Sequence, residues 1–200
     1  MMKRLKNYMI GSMAAVVACC LFLSLKTEER FRVFMIGDST MANKQYEKTP
    51  ERGWGMVLQC FFDDEVVIDN HAVNGRSSKS FIAEGRWQKV IDQVKPGDYV
   101  VIQFGHNDEK PQPERHTDPG TTFDANLRRF VVETREKGGI PILMNAVVRR
   151  NFVVEKVKND DDEKLRLIDA QAKNDVIEDD TLRDTHGKYL DSPRDVAKEQ

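Results

Sequence analysis

Cysteine is scarce in this 200-residue chain, where Cys19, Cys20 and Cys60 are the only three. Two of them are neighbours near the N-terminus, so a body freed of that segment keeps one thiol and closes no disulfide on itself. No Cys-x-x-Cys pair or cysteine–histidine cluster is present, which argues against a structural zinc site. Charge of one sign is lacking too. Thirty-one basic residues stand against 33 acidic ones, a formal net charge of −2, with no long basic block. Such balance supplies no field that would attract nucleic acid, and no nucleic-acid partner is expected. No GxGxxG or GxxxxGKS/T follows an apolar run, which leaves little support for a nucleotide binder. Internal repeats are absent as well.

What is present begins with one long apolar run. The basic start MMKRLKN is followed by 18 apolar residues, 8–25, and then by KTEER. A basic segment leading into an apolar one is the pattern of an export signal, and the length borders on that of a membrane-spanning helix. Residues 1–30 are therefore expected to be a signal peptide or an N-terminal membrane anchor, the latter through residues 8–25. VVAC, ending at Cys19, also has the look of a bacterial lipoprotein cleavage site. The expected location is exported: periplasmic, extracellular or membrane-anchored. The remainder, with 40% hydrophobic residues overall, suits one globular domain over 31–200.

Four apolar runs read as buried strands: RVFMIG (32–37), EVVIDN (65–70), YVVIQFG (99–105) and IPILMNAVV (140–148). They are near-continuous rather than alternating, as strands covered on both faces should be. Helical patterns lie between them at 52–62, 80–94 and 123–139, the last closed by two glycines. This alternation predicts parallel βαβ units in an α/β fold, a three-layer α/β/α sandwich with a flavodoxin-like parallel sheet. The stretch 155–180 reads as a polar insertion, and SPRDVAKEQ (192–200) starts a further helix with Pro193 in its first turn.

In an open α/β sheet, ligands bind beyond the carboxyl ends of the strands. Three such ends are polar here. The first is Gly37-Asp38-Ser39-Thr40, the second NHAVNGRSSKSF (70–81) and the third Gly105-His106-Asn107-Asp108. Alone, each has an ordinary structural reading: a helix cap for Ser39, a turn glycine for Gly75, an Asx turn for Asn107-Asp108. Together they describe an ester-cleaving site. A serine at a helix N-terminus sits in a positive local field. A glycine N–H and an asparagine amide aimed at one point are what a tetrahedral oxyanion requires.

GDS(T), a block-two glycine and GxND together resemble the SGNH, or GDSL-type, hydrolase superfamily. MIGDSTMANK, ERGWG, NHAVNGRSSKSF, QFGHNDEK, the VVRR.F stretch, DTHGKY and RDVAKE resemble its rhamnogalacturonan acetylesterase family in particular, over roughly residues 32–200. The resemblance implies a serine acetylesterase acting on acetylated pectic polysaccharide or oligosaccharide, without metal or cofactor. It implies Ser39 as the nucleophile. It also implies an oxyanion hole from the Ser39 and Gly75 N–H groups and the Asn107 side chain. Arg76, Lys79, Arg149 and Arg150, near strand ends, are candidates to meet galacturonate carboxylates, with ordinary surface charge as the alternative.

The family's base and its orienting acid come from a C-terminal Asp-x-x-His block, and no Asp-x-x-His occurs in this chain. Its four histidines are His71, His106, His116 and His186. Asp184-Thr185-His186 superficially resembles a dyad but matches a different family segment, and local packing is the expectation for His71 and His106. The sheet is expected to be incomplete at its C-terminal edge, as in a shortened hydrolase. That expectation makes turnover by these 200 residues low. The alternative is a non-catalytic carbohydrate-binding remnant of such an esterase.

Overall fold

The structure is a computed structural model that describes residues 30–45, 47–149 and 186–200. The N-terminal basic and apolar segment, Arg150 and the polar stretch 155–180 lie outside the described residues. Among the described residues, no helix is long and apolar enough to cross a membrane.

Strands β1 (Phe31–Gly37), β2 (Val66–Asn70), β3 (Tyr99–Gln103) and β4 (Ile140–Met144) form one sheet in the order β2-β1-β3-β4. All three pairings are parallel, with Phe34 opposite both Asp69 and Val100, and Ile102 opposite Leu143. The predicted parallel α/β sheet is therefore observed. β1 is central: the chain leaves it for β2 on one side and returns to β3 on the other. The carboxyl ends of β1 and β3 are thus the switch point at which open α/β sheets bind their ligands.

Alternate strand residues feed two cores. Phe34, Ile36, Val100 and Ile102 join Phe81, Trp87, Val90, Phe123, Leu127, Phe130 and Val196 on the helical side. Those helices are α1 (Ser78–Ala83), α2 (Arg86–Ile91), α3 (Thr122–Glu136) and α4 (Ser192–Glu199). Val33, Met35, Val66 and Val101 face the other way, against Met41, Ala42 and Ala72, with Trp54 and Leu58 packed on them. Both faces are covered, which is why the strands read as continuous apolar runs.

The second face is covered differently from expectation. The helical pattern at 52–62 folds as two 3-10 turns, Trp54–Met56 and Leu58–Phe61. Glycines cause the break, each costing a helix roughly 1 kcal/mol relative to alanine. They are there for close approach: a Cβ on Gly53 would lie 2.1 Å from the Ala42 carbonyl oxygen, and one on Gly55 2.6 Å from the Met41 carbonyl. The Gln59 side chain then closes the outer edge of β2, donating to the Val66 carbonyl and accepting from the Ile68 N–H, both at 3.0 Å. This occupies the unpaired groups that make an edge strand sticky.

Two other boundaries differ. The 80–94 pattern splits into α1 and α2 at Gly85, whose φ of +67° no helix accommodates. The run 140–148 stays in the sheet only to Met144, because the next carbonyl, that of Asn145, accepts from the Gln103 side-chain amide at 2.9 Å. α3 ends as the paired glycines predict, with Gly138 at φ +76° and the Gly139 N–H on the Thr134 carbonyl.

Candidate active site

Ser39 stands two residues beyond the end of β1, half-buried in a single helical turn. That turn begins at Asp38, whose carbonyl accepts from the Ala42 N–H at 3.0 Å. The capping role belongs to Asp38 rather than Ser39: its Oδ1 accepts from the Thr40 N–H at 2.9 Å and from Thr40 Oγ1 at 2.8 Å. Ser39 is thus released from capping. Burial pushes the Asp38 carboxyl upward, opposed by the Thr40 bonds and by the charges of His186 and Arg149. Gly37 permits the turn, since a Cβ there would come within 2.7 Å of the Gln103 carbonyl.

The second loop is stitched onto the first. The Val73 N–H reaches the Gly37 carbonyl at 3.0 Å, so the loop continues the β1–β2 pairing past the strand. Asn70 Nδ2 donates to the Met41 carbonyl at 2.9 Å, and Lys44 Nζ, its side chain only 3% exposed, donates to Asn74 Oδ1 at 2.6 Å. Gly75 follows with φ +74°, and nothing lies within 4 Å of where its Cβ would be. The positive φ explains the glycine, and the open space leaves its surroundings accessible. Ser77 then caps α1 in a capping box with Ser80.

The third loop closes on the second. Asn107, 3% exposed, uses one amide hydrogen on the Arg76 carbonyl at 3.1 Å. Asp108 is fully buried and accepts from Ser78 Oγ at 2.5 Å, the Ser78 N–H at 3.0 Å, Thr117 Oγ1 at 3.0 Å and the Gly105 N–H at 3.2 Å. Burial outweighs these bonds and raises its carboxyl to about 6. Ser39, Gly75 and Asn107 are therefore carried by three loops bonded in series: Gly37 to Val73, then Arg76 to Asn107.

The candidate cationic residues are less free than their sequence positions imply. Arg76 Nε lies 3.2 Å from Glu84 and its Nη1 donates to the Asn74 carbonyl at 2.9 Å. Lys79 is exposed, with Nζ 2.5 Å from the Pro113 carbonyl. Arg149 is drawn inward onto Glu109 and His106, and Arg150 lies outside the described residues. His186 is buried, its Nδ1 2.8 Å from Glu109 and its Nε2 3.1 Å from the Val147 carbonyl. Both nitrogens are engaged, so a role as base is not supported by its position.

Three contributors were not singled out from the sequence, Lys44, Trp54 and Gln103, and Asp108 was read only as part of an Asx turn. Gln103 is the most informative. It is 3% exposed and accepts on Oε1 from Trp54 Nε1 at 2.8 Å and Thr40 Oγ1 at 3.3 Å. A glutamine at the end of an otherwise apolar strand was its only visible signal.

A parallel sheet bearing a serine in the first turn beyond its central strand, with glycine and asparagine on the flanking loops, defines a class of ester hydrolases. The chain belongs to the GDSL-like lipase/acylhydrolase family, whose model matches residues 35–198. Within it, the chain is 43% identical over 121 residues to a rhamnogalacturonan acetylesterase of Bacillus subtilis, covering 60% of this chain and 51% of that protein. It is 46% identical over 76 residues to a rhamnogalacturonan acetylesterase of Emericella nidulans, covering 38% and 28% of the two chains. The chain thus spans about half the length of the Bacillus relative or less of the fungal one. The resemblance read from the motifs is borne out. The crystal structure of the Bacillus subtilis protein YxiM shares the fold, with a TM-score of 0.61 at 21% identity over 85% of this chain and 41% of that one.

Proposed function

We propose that this chain is a serine ester hydrolase that removes acetyl groups from pectic polysaccharide of the rhamnogalacturonan type. The observation that carries the reading is the bonding of the three loops into one rim, through Val73 to Gly37 and Asn107 to Arg76. Ser39 Oγ attacks the acetyl carbonyl carbon while its proton passes to a base. The Ser39 and Gly75 N–H groups and the free hydrogen of the Asn107 amide receive the oxyanion. The sugar hydroxyl leaves with a proton, and water then cleaves acetyl-Ser39 to acetate. Arg76, at the end of the second loop, and Lys79, in the first turn of α1, supply positive charge for galacturonate carboxylates.

A second reading, a carbohydrate binder without turnover, is favoured by one observation. His186, packed against the loop that carries Asn107, has both ring nitrogens engaged, one by Glu109 and the other by the Val147 carbonyl. A serine hydroxyl without a base is a weak nucleophile at neutral pH. One assay separates the readings. Acetylated rhamnogalacturonan is incubated with the protein and with Ser39→Ala, and both acetate release and polysaccharide retention are followed. Release that is lost in Ser39→Ala supports the esterase. Retention by both proteins without release selects the binder, and release undiminished in Ser39→Ala eliminates the covalent mechanism.

A further inference from the structure

Next to the loop that carries Asn107 lies a second polar cluster, which the proposed chemistry does not use. Glu109, its side chain 13% exposed, holds Arg149 Nη2 at 2.5 Å through Oε1 and His186 Nδ1 at 2.8 Å through Oε2. The same Nη2 donates to the His106 carbonyl at 3.0 Å, and Arg149 Nε donates to His106 Nδ1 at 3.2 Å. His186 Nε2 is 3.1 Å from the Val147 carbonyl, and the ring stands edge-on to His106 with centroids 4.5 Å apart. Asp38 is close enough that the charges of His186 and Arg149 favour its ionised form.

Glu109 accepts from the Arg149 guanidinium, and the Val147 carbonyl is an acceptor. The His186 ring therefore lies between two acceptors, one against each nitrogen. The result is a carboxylate shared by Arg149 and His186, with contacts to the His106 and Val147 carbonyls. The members come from three separate parts of the chain. His106 and Glu109 flank Asn107, Val147 and Arg149 follow β4, and His186 opens the 3-10 turn Gly187–Leu190 that leads into α4.

We propose that Glu109, with Arg149 and His186, is a positioning cluster: it fixes the 105–109 loop, and with it the Asn107 amide, to the chain leaving β4 and to the C-terminal segment. The importance of Asn107 rests on the function proposed above, whereas the mechanical linkage does not. Glu109 is the keystone. Replacing it removes the carboxylate that bonds both Arg149 and His186 to the 105–109 loop, so its loss is more damaging than loss of His186, which breaks one of those two contacts.

The test reads the position of Asn107 without requiring turnover. In the 15N-labelled full chain, the Asn107 side-chain amide resonances are assigned by their disappearance in Asn107→Ala. Glu109→Gln and His186→Asn are each expected to shift these resonances and to speed amide exchange across residues 105–109. The double variant should move them little beyond Glu109→Gln alone. Val90→Ala, a core truncation in α2 that also lowers the melting temperature, should leave them in place. Arg149→Lys keeps the charge but loses the fork, and should give a smaller shift in the same direction. It also serves if Glu109→Gln does not fold. Unshifted Asn107 resonances in folded Glu109→Gln, or in Arg149→Lys where Glu109→Gln fails to fold, would overturn the proposal. An equal shift in Val90→Ala would overturn it as well. Absence of acetate release would remove the esterase reading and leave this result intact.

Discussion

Asp108 shows how one residue carries both architecture and a titration. Its carboxylate gathers donors from α1, the 105 turn and Thr117, yet burial raises its carboxyl to about 6. A carboxyl raised on folding takes up protons more readily in the native state than in the unfolded chain. Its contribution to stability is then greatest below the unfolded value near 4, and falls as pH rises through about 6. Thermal melts between pH 4 and 7 should show this downward component, and subtracting the profile of Asp108→Asn should isolate it. A difference profile that is flat or rises with pH would contradict the assignment. At Asn107, the amide left over from Arg76 is the feature that matters. Asn107→Ala should lower acetate release by about 100-fold, as measured for other oxyanion donors. Circular dichroism should show the fold retained.

At the scale of elements, α4 is held to α3 by two kinds of contact of very different weight. Val196 is fully buried in the helical core, whereas the Arg128–Glu199 ion pair, at 2.6 Å, has side chains 36% and 48% exposed. Exposed pairs contribute about 0–1 kcal/mol, while a buried valine contributes roughly 1.5–3 kcal/mol. Val196→Ala should therefore cost about 2 kcal/mol in denaturant unfolding and Glu199→Gln no more than about 0.5 kcal/mol. The reverse order would mean that α4 docks electrostatically. α4 follows directly on the turn opened by His186, so its docking also holds one end of the cluster around Glu109.

For the whole molecule, the balanced charge suits the neutral or locally acidic polymer of the proposed function better than nucleic acid. We propose that the molecule meets that polymer outside the cytoplasm, on the strength of the basic start and apolar run in residues 1–25. Residues 1–30 fused to a reporter active only outside the cytoplasm should give signal. A stable fusion that stays silent would refute export.

The sequence by itself determined the sheet and the three polar strand ends. Continuous apolar runs separated by helical patterns have few solutions other than a covered parallel sheet, and GDS, NG and GHND are local signals read at a glance. It did not determine what meets across distance. The 52–62 segment has helical spacing, but Gly53 and Gly55 serve backbone approach to Met41 and Ala42, a constraint no local pattern carries. Arg149 looked like a surface cation for substrate. It is pulled inward by His106, 43 residues away, and by Glu109, which also takes His186 from 77 residues away. Periodicity and propensity act over a few residues, so they reach the strands and their turns. Ion pairs and close backbone contacts form only after the chain has folded back on itself, and they decided which of the candidate side chains stand free at the site.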